Sequence, residues 1–367
     1  MVEWKSIGSS CKTVSPPKKL EREMYSDDGQ YPIIDQGQKD IVGFTDDVSA
    51  LVADGEYVLF GDHTRYVKYH KGRFAQGADG LKILNPIDSI IPRYFFYIFE
   101  KTDVPSRGYS RHWSIAKEIL IPIPSLSEQK RIVGILDTFT ASIENLKEQI
   151  TQRRKQFEHY RDQLLDLEGK EGVEMKTMGD LFTFKNGLNK GKEFFGKGKP
   201  IIMFTNVFNS RYIDNSMVKN KVDISESELE RINALKGDVF FTRTSETKED
   251  VGYASVLIED IEDCTFAGFL IRARPITNSI LPAYCKYCFS TPQIRDSIVS
   301  KSSFTTRASL TGSGLGEVNL SVPSIDEQSR IVSILDTFEA SIANLEAQLS
   351  QREKQYEYYR NKLLTFE

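Results

Sequence analysis

Cys285 and Cys288 stand three residues apart, the spacing at which two thiolates grip one zinc ion or exchange a disulfide. The stretch GKEFFGKG at 191–198 approaches a phosphate-binding loop. However, Lys197 is followed by Gly198 where a magnesium-holding hydroxyl belongs, and Pro200 falls where a helix should open. Glu246 and Lys248 fit the Glu-x-Lys fragment of some nuclease sites, a triplet that arises readily by chance. NPIDS at 85–89 lacks the second proline and the aromatic of an amino-methyltransferase motif, and no glycine-rich loop of methyltransferase type follows a strand. His63, His70, His112 and His159 show no metal-ligand spacing. These are fragments of catalytic chemistry, so the sequence predicts no catalytic centre, no cofactor and no metal.

Cations interleaved with hydroxyls and rings offer a different chemistry. HTRYVKYHKGRF at 63–74 carries Arg65, Lys68, Lys71 and Arg73 with no acid, between Tyr66, Tyr69, His63 and His70. Residues 185–199 carry five lysines, among them Lys190, Lys192, Lys197 and Lys199, against Glu193. SRGYSRHW at 106–113 supplies Arg107 and Arg111, and KSSFTTR at 301–307 supplies Arg307. Such side chains contact phosphates, and Arg, Asn, Gln and Ser read base edges. A solvated loop would look similar cluster by cluster; the recurrence of clusters in both halves points to DNA.

The elements that must position these residues come in duplicate. From Pro124 and from Pro323, 28 of 45 aligned residues are identical. Shorter echoes precede them in order: VEWKSIG at 2–8 with VEMKTMG at 173–179, GEYVLF at 55–60 with GDVFFT at 237–242, and IPRYFFYIF at 91–99 with LPAYCKYCF at 281–289. Their offset grows from 171 to 199, so the second half carries insertions between shared landmarks. The alignment also sets Phe95 and Ile98 opposite Cys285 and Cys288, which makes the cysteines core residues of a helix rather than a metal or redox pair.

Each half therefore reads as a variable domain followed by a constant helix. The domains are 1–123 and 173–322, the helices 124–168 and 323–367, and the polar linker 169–172 joins the halves. Ser125 before Glu128, and Ser324 before Glu327, have capping-box spacing. Apolar residues then recur at steps of four and three from Ile132 to Leu167 and from Ile331 to Phe366, a heptad seam interrupted by Arg153 and Arg352. Two like seams on one chain predict an antiparallel pair about a pseudo-two-fold axis, a rod of roughly 60 Å at 1.5 Å per residue. Runs such as YPIID, EYVLFG, DVFFTR, YASVLIE and FLIRARPI read as strands, and RYFFYIFE and AYCKYCFSTPQIRDSIVS as helical. The predicted fold is α+β: two domains of mixed α/β structure separated by a long antiparallel coiled coil.

The totals agree with this plan. A length of 367 residues with 40% hydrophobic content supports two cores. Four cysteines make no disulfide framework, and a net charge of −4 argues against coating nucleic acid over the whole surface. No apolar run approaches the ~18 residues of a membrane span, and MVEWKSIGSSCK has no signal-like core, so a cytoplasmic location is expected.

IPIPSLSEQKRIVGILD and LSVPSIDEQSRIVSILD, together with GDVFFTRTSET and VGYASVL, resemble the specificity subunits of type I restriction-modification systems over the whole length. The resemblance implies two target-recognition domains that each read half of a split, asymmetric site on double-stranded DNA. The helices would set the gap and dock two DNA methyltransferase subunits, which bring the S-adenosylmethionine, and a restriction-translocase subunit would join them. It also implies that Arg243, Thr244 and Ser245 face DNA, a turn-like run of donors after a buried strand. The first half has Gly61, Asp62, His63 and Thr64 in that place. The rival readings are a self-contained DNA-modifying enzyme, a coiled-coil scaffold, and the specificity chain of a related fused restriction-methylation system.

Overall fold

The computed structural model describes residues 2–77, 79–106, 108 and 110–366. The chain forms two compact units, one of Met1–Glu148 with Glu346–Glu367, the other of Gln149–Leu345. Each holds one mixed α/β lobe and a stretch of both long helices, Leu126–Leu165 and Ile325–Leu363.

In the first unit an antiparallel sheet runs in the order Cys11–Val14, Leu81–Pro86, Glu56–Gly61, Val67–Lys71. A second sheet orders Gly43–Thr45, Tyr31–Ile34, Phe74–Gln76 and Leu51–Val52, with one parallel pair where Ile33 faces Ala75. The helix Pro92–Lys101 enters through a proline at its first turn, where the missing N–H costs nothing. It buries Tyr94, Phe95, Tyr97, Ile98 and Phe99, the last stacked on Phe60 with centroids 5.1 Å apart.

The second unit repeats this plan with additions. Its five-stranded sheet runs Phe182–Asn186, Leu270–Pro275, Val239–Thr242, Ala254–Leu257, Tyr212–Ile213. Cys285 and Cys288 lie buried on the helix Pro282–Cys288, as Phe95 and Ile98 do on its counterpart. The segment expected to be helical beyond it divides, and a second helix runs Pro292–Ser300. Pro292 forces Thr291 into extended backbone, and the Ser290 and Thr291 hydroxyls donate to the carbonyls of Tyr287 and Cys288 at 2.7 and 3.0 Å. The phosphate-loop-like stretch is a 3₁₀ turn, Lys192–Phe194, and then a strand, Phe195–Ile202.

Where each lobe meets its long helix, the same bonds occur twice. Gln129 and Gln328 are both fully buried. The Gln129 amide oxygen accepts from the Ile91 N–H at 2.8 Å, and its nitrogen donates to the Ser89 and Pro124 carbonyls at 3.0 and 2.9 Å. Gln328 does the same with Leu281 N–H, Ser279 and Pro323 at 2.8, 2.8 and 2.9 Å. A buried amide with both ends satisfied orients helix and lobe without leaving an orphaned group. Tyr97 and Tyr287 each donate a 2.5 Å hydrogen bond to a helix carboxylate, Asp137 and Asp336. The capping boxes form by half: the serines accept the N–H of Glu128 and Glu327, while those carboxylates turn to Arg131 and Arg330.

The seam pairs antiparallel in both units. In the first, Phe139 stacks on Tyr359 at 5.3 Å; in the second, Tyr160 stacks on Phe338 at 5.3 Å. These are one contact made twice, because Phe139 aligns with Phe338 and Tyr160 with Tyr359. The seam cations join them: Arg352 lies 5.6 Å over Phe139, and Arg153 lies 5.8 Å over Phe338. Leu364 is buried with Ile132 and Leu136 in the core of the first lobe, so a segment late in sequence completes the unit that begins the chain.

Candidate nucleic-acid interface

In the second lobe the strand Val239–Thr242 delivers Arg243 to the surface. The Arg243 N–H donates to the Phe269 carbonyl at 2.8 Å, and its carbonyl accepts from Leu310 N–H at 2.9 Å. Thr244 and Ser245 then pair antiparallel with Ser309 and Ala308, which pair in turn with Ser303 and Phe304. Two clusters some sixty residues apart in sequence, around 243–245 and 301–309, thus form one small sheet. Arg243, Thr244 and Ser245 are half-buried. Arg243 donates weakly to the Gly268 carbonyl at 3.4 Å, and its buried Nε has no partner among the described residues. Arg307 is exposed, 3.8 Å from the Glu246 carboxylate. Phe269 and Phe304 stand beside them with half or more of their surface in water. Guanidinium, hydroxyls and open rings on one sheet edge are the inventory of a DNA-contacting surface.

The first lobe has the same backbone frame with a different side chain. The Asp62 N–H donates to the Gly80 carbonyl at 2.6 Å, and the Asp62 carbonyl accepts from His112 N–H at 2.8 Å. Asp62 therefore occupies the position that Arg243 occupies in the second lobe, one residue later than the echo of 55–60 with 237–242 implies, because Gly61 pairs with Leu81 as Thr242 pairs with Leu270. Its carboxylate is buried, accepting from Trp113 N–H at 2.7 Å with Lys82 at 3.6 Å. After it, the chain turns through Arg65, which has a left-handed φ of 66° and donates to the Val104 carbonyl at 2.9 Å. Arg65 and Arg111 are exposed here, and Arg111 helps to lower the pKa of Asp79, after the hydrogen bond from Lys19. Arg107 lies outside the described residues.

Other expected contacts are placed elsewhere. Lys68 is buried; its ammonium donates to the Asp35 carbonyl at 3.0 Å and to the Lys39 carbonyl, and burial lowers its pKa. That amine faces the protein, not a phosphate. Lys71 and Arg73 are exposed at the far end of the strand Val67–Lys71 from the turn at 61–66, and Lys71 pairs with Glu56 at 3.1 Å. Three lysines of 185–199 meet acids that the sequence window does not show. Lys190 donates to Glu228 at 2.8 Å and to the Asp223 carbonyl, which pulls the Glu228 carboxyl down to about 2. Lys197 pairs with Asp223 at 3.3 Å, and Lys199 pairs with Glu226 at 3.5 Å and with Asp263. Lys192 is exposed. Asp62, His112, Phe269 and Phe304 went unread because their roles depend on pairings between loops distant in sequence.

Among the described residues no cluster of three His, Cys, Asp or Glu could hold a metal ion, and no helix is long and apolar enough to cross a membrane. The profile of the type I restriction modification DNA specificity domain matches residues 1–153 and again 170–353. The chain is 29% identical to the specificity subunit of the type I restriction enzyme EcoR124I/EcoR124II of Escherichia coli, covering 100% of this chain and 94% of that one. The crystal structure of a type I restriction-modification S subunit from M. genitalium superposes with a TM-score of 0.62 at 19% identity, covering 100% and 97% of the two chains. A chain solved in work on complex assembly and conformational transition of the type I restriction-modification system gives 0.60 at 15% identity, covering 99% and 96%. The fold is thus shared with S subunits, and the two profile matches fall on the two repeats found in the sequence. The chain belongs to the family of type I restriction-modification DNA specificity subunits.

Proposed function

We propose that this chain is the non-catalytic subunit that reads a split, asymmetric site on double-stranded DNA, one half with each lobe. The observation that carries this reading is the repeated loop frame: Asp62 and Arg243 hold the same backbone bonds and opposite side-chain charges. Two readers of one build with different side chains are what an asymmetric two-part site requires. The reading lobes are 1–123 and 173–322, with Arg65, Arg111, Arg243, Thr244, Ser245 and Arg307 as candidate DNA contacts. The helices 124–168 and 323–367 set the gap between half-sites. Their starts present the exposed pairs Glu128–Arg131 and Glu327–Arg330, one surface twice over, on which two methyltransferase subunits dock. Those subunits bring the S-adenosylmethionine, a restriction-translocase subunit completes the complex, and the assembly works in the cytoplasm.

Sequencing of methylated sites in cells with and without this gene tests the proposal. The expected result is a two-part motif with a gap of fixed length. Adding one heptad after Gln152 and one after Gln351 lengthens the paired helices by about 10 Å. That should lengthen the preferred gap by about three base pairs, at ~3.4 Å each, or abolish specific methylation. An unchanged gap with undiminished methylation would remove the helices from that role.

A further inference from the structure

The first lobe lacks a half-exposed cation where the second has Arg243, so its reading group must lie elsewhere. The loop at 35–40 is built into the same cluster from three sides. The Gln36 amide oxygen accepts from His63 N–H at 3.1 Å, its nitrogen donates to the Asp79 carbonyl at 3.0 Å, and its own carbonyl accepts from the Thr64 hydroxyl at 2.5 Å. These bonds tie the loop to the turn that carries Asp62 and to the segment that carries Gly80. Both neighbours are glycines where Gln36 passes: a Cβ on Gly80, which has φ of +96°, would lie 2.6 Å from its amide, and one on Gly61 would lie 2.7 Å from its carbonyl. From below, the buried Lys68 ammonium holds the carbonyls of Asp35 and Lys39. Within the loop, Asp35 accepts the Gly37 N–H at 2.8 Å. Desolvating a lysine opposes folding unless it secures something, and here it fixes a backbone. The exposed side chains of the loop are those of Gln38, Lys39 and Asp40, and the Asp40 carboxylate is near enough to the Lys68 ammonium to offset part of its burial.

We infer that the loop at 35–40 is the base-reading element of the first lobe, with Gln38 presenting its amide to an adenine edge and Lys39 meeting a phosphate. A glutamine amide matches the N6 donor and N7 acceptor of adenine in the major groove, and a loop fixed beforehand loses little entropy on binding. Gln36 and Lys68 are positioning residues. This assignment rests on the two-half reading proposed above and names the group that serves the first half.

The test uses the complete complex of this chain with its methyltransferase subunits, selecting sites from a library randomised in both half-sites. Gln38→Ala should reduce selection of one A·T pair in one half-site by about 5- to 150-fold, the range for a good bidentate contact. The other half-site should keep its selection, which also certifies folding and assembly. Lys39→Ala should weaken all sites alike and flatten the dependence of log affinity on log salt by about 0.9. If the wild-type complex selects two half-sites and Gln38→Ala leaves both within twofold, the loop assignment is overturned and the two-half reading stands. If the wild-type complex selects no two-part site, both fall.

Discussion

Asp62 and Arg243 stand at one position of a repeated frame and carry opposite charges. Each donates its N–H to the corresponding loop of its own lobe, at Gly80 and Phe269, and accepts from the segment ahead of that lobe's last short helix. Beyond the backbone they part: the aspartate turns inward and clasps Trp113, while the arginine stays half-buried at the edge of a sheet of hydroxyls. The comparison teaches that the frame is held by main-chain bonds. The side chain is therefore free to turn into the core in one lobe and to stay at the sheet edge in the other.

The largest expected effect breaks that contrast. Asp62→Ala orphans the Trp113 N–H and leaves Lys82 without its acid, and should cost about 3 kcal/mol of stability. Both tryptophans of the chain, Trp4 and Trp113, lie in the first lobe, so the urea midpoint of their fluorescence reports it directly. Arg243→Ala should leave stability within about 0.5 kcal/mol and instead cost about 1–3 kcal/mol in DNA binding, at one half-site alone. Equal weakening on every sequence would make Arg243 a phosphate contact, and a large stability loss would make it a clasp like Asp62.

Next come the places where the lobes are alike. Gln129→Ala and Gln328→Ala each strand one buried N–H and two carbonyls, and should each cost about 2 kcal/mol in urea unfolding. Unequal costs would show that one junction is propped by something else.

The smallest effect again separates the lobes. Burial beside Phe74 lowers the His70 pKa, and the second lobe, 173–322, contains no histidine. A base whose pKa is depressed by folding binds more protons when unfolded. Stability is therefore fully present above its ordinary pKa and declines as pH falls towards the folded value. The tryptophan-reported urea midpoint should fall between about pH 7.5 and about pH 5.5. His70→Phe should flatten the slope, and an unchanged slope would assign the effect to other groups.

The repeat, the long helices and the core role of Cys285 and Cys288 were legible because helical periodicity and internal identity are local signals. The break before Pro292 was less so, since Thr291 carries its cause in one dihedral preference. The basic clusters were legible as composition but not as surface. Lys68 and Lys190 meet their partners through residues 29 to 38 positions away, and a window of sequence shows no such acid or carbonyl. The joining of Thr244 and Ser245 with Ser309 and Ala308 is likewise a strand pairing that neither segment signals alone. Charge counted along a chain thus overstates the cations free to meet a phosphate.

The burial of Leu364 against Ile132 and Leu136 has a consequence for synthesis. Emerging chain folds in order of appearance at roughly 5–20 residues per second, and 198 positions separate Glu148 from Glu346, so the first lobe waits on the order of 10–40 seconds for the segment that closes it. In that interval the whole second lobe is made while the seam of the first helix lies bare. A ribosome-bound first half is therefore an unfinished object that needs shielding, and a premature stop late in the gene damages the part of the protein that was translated first.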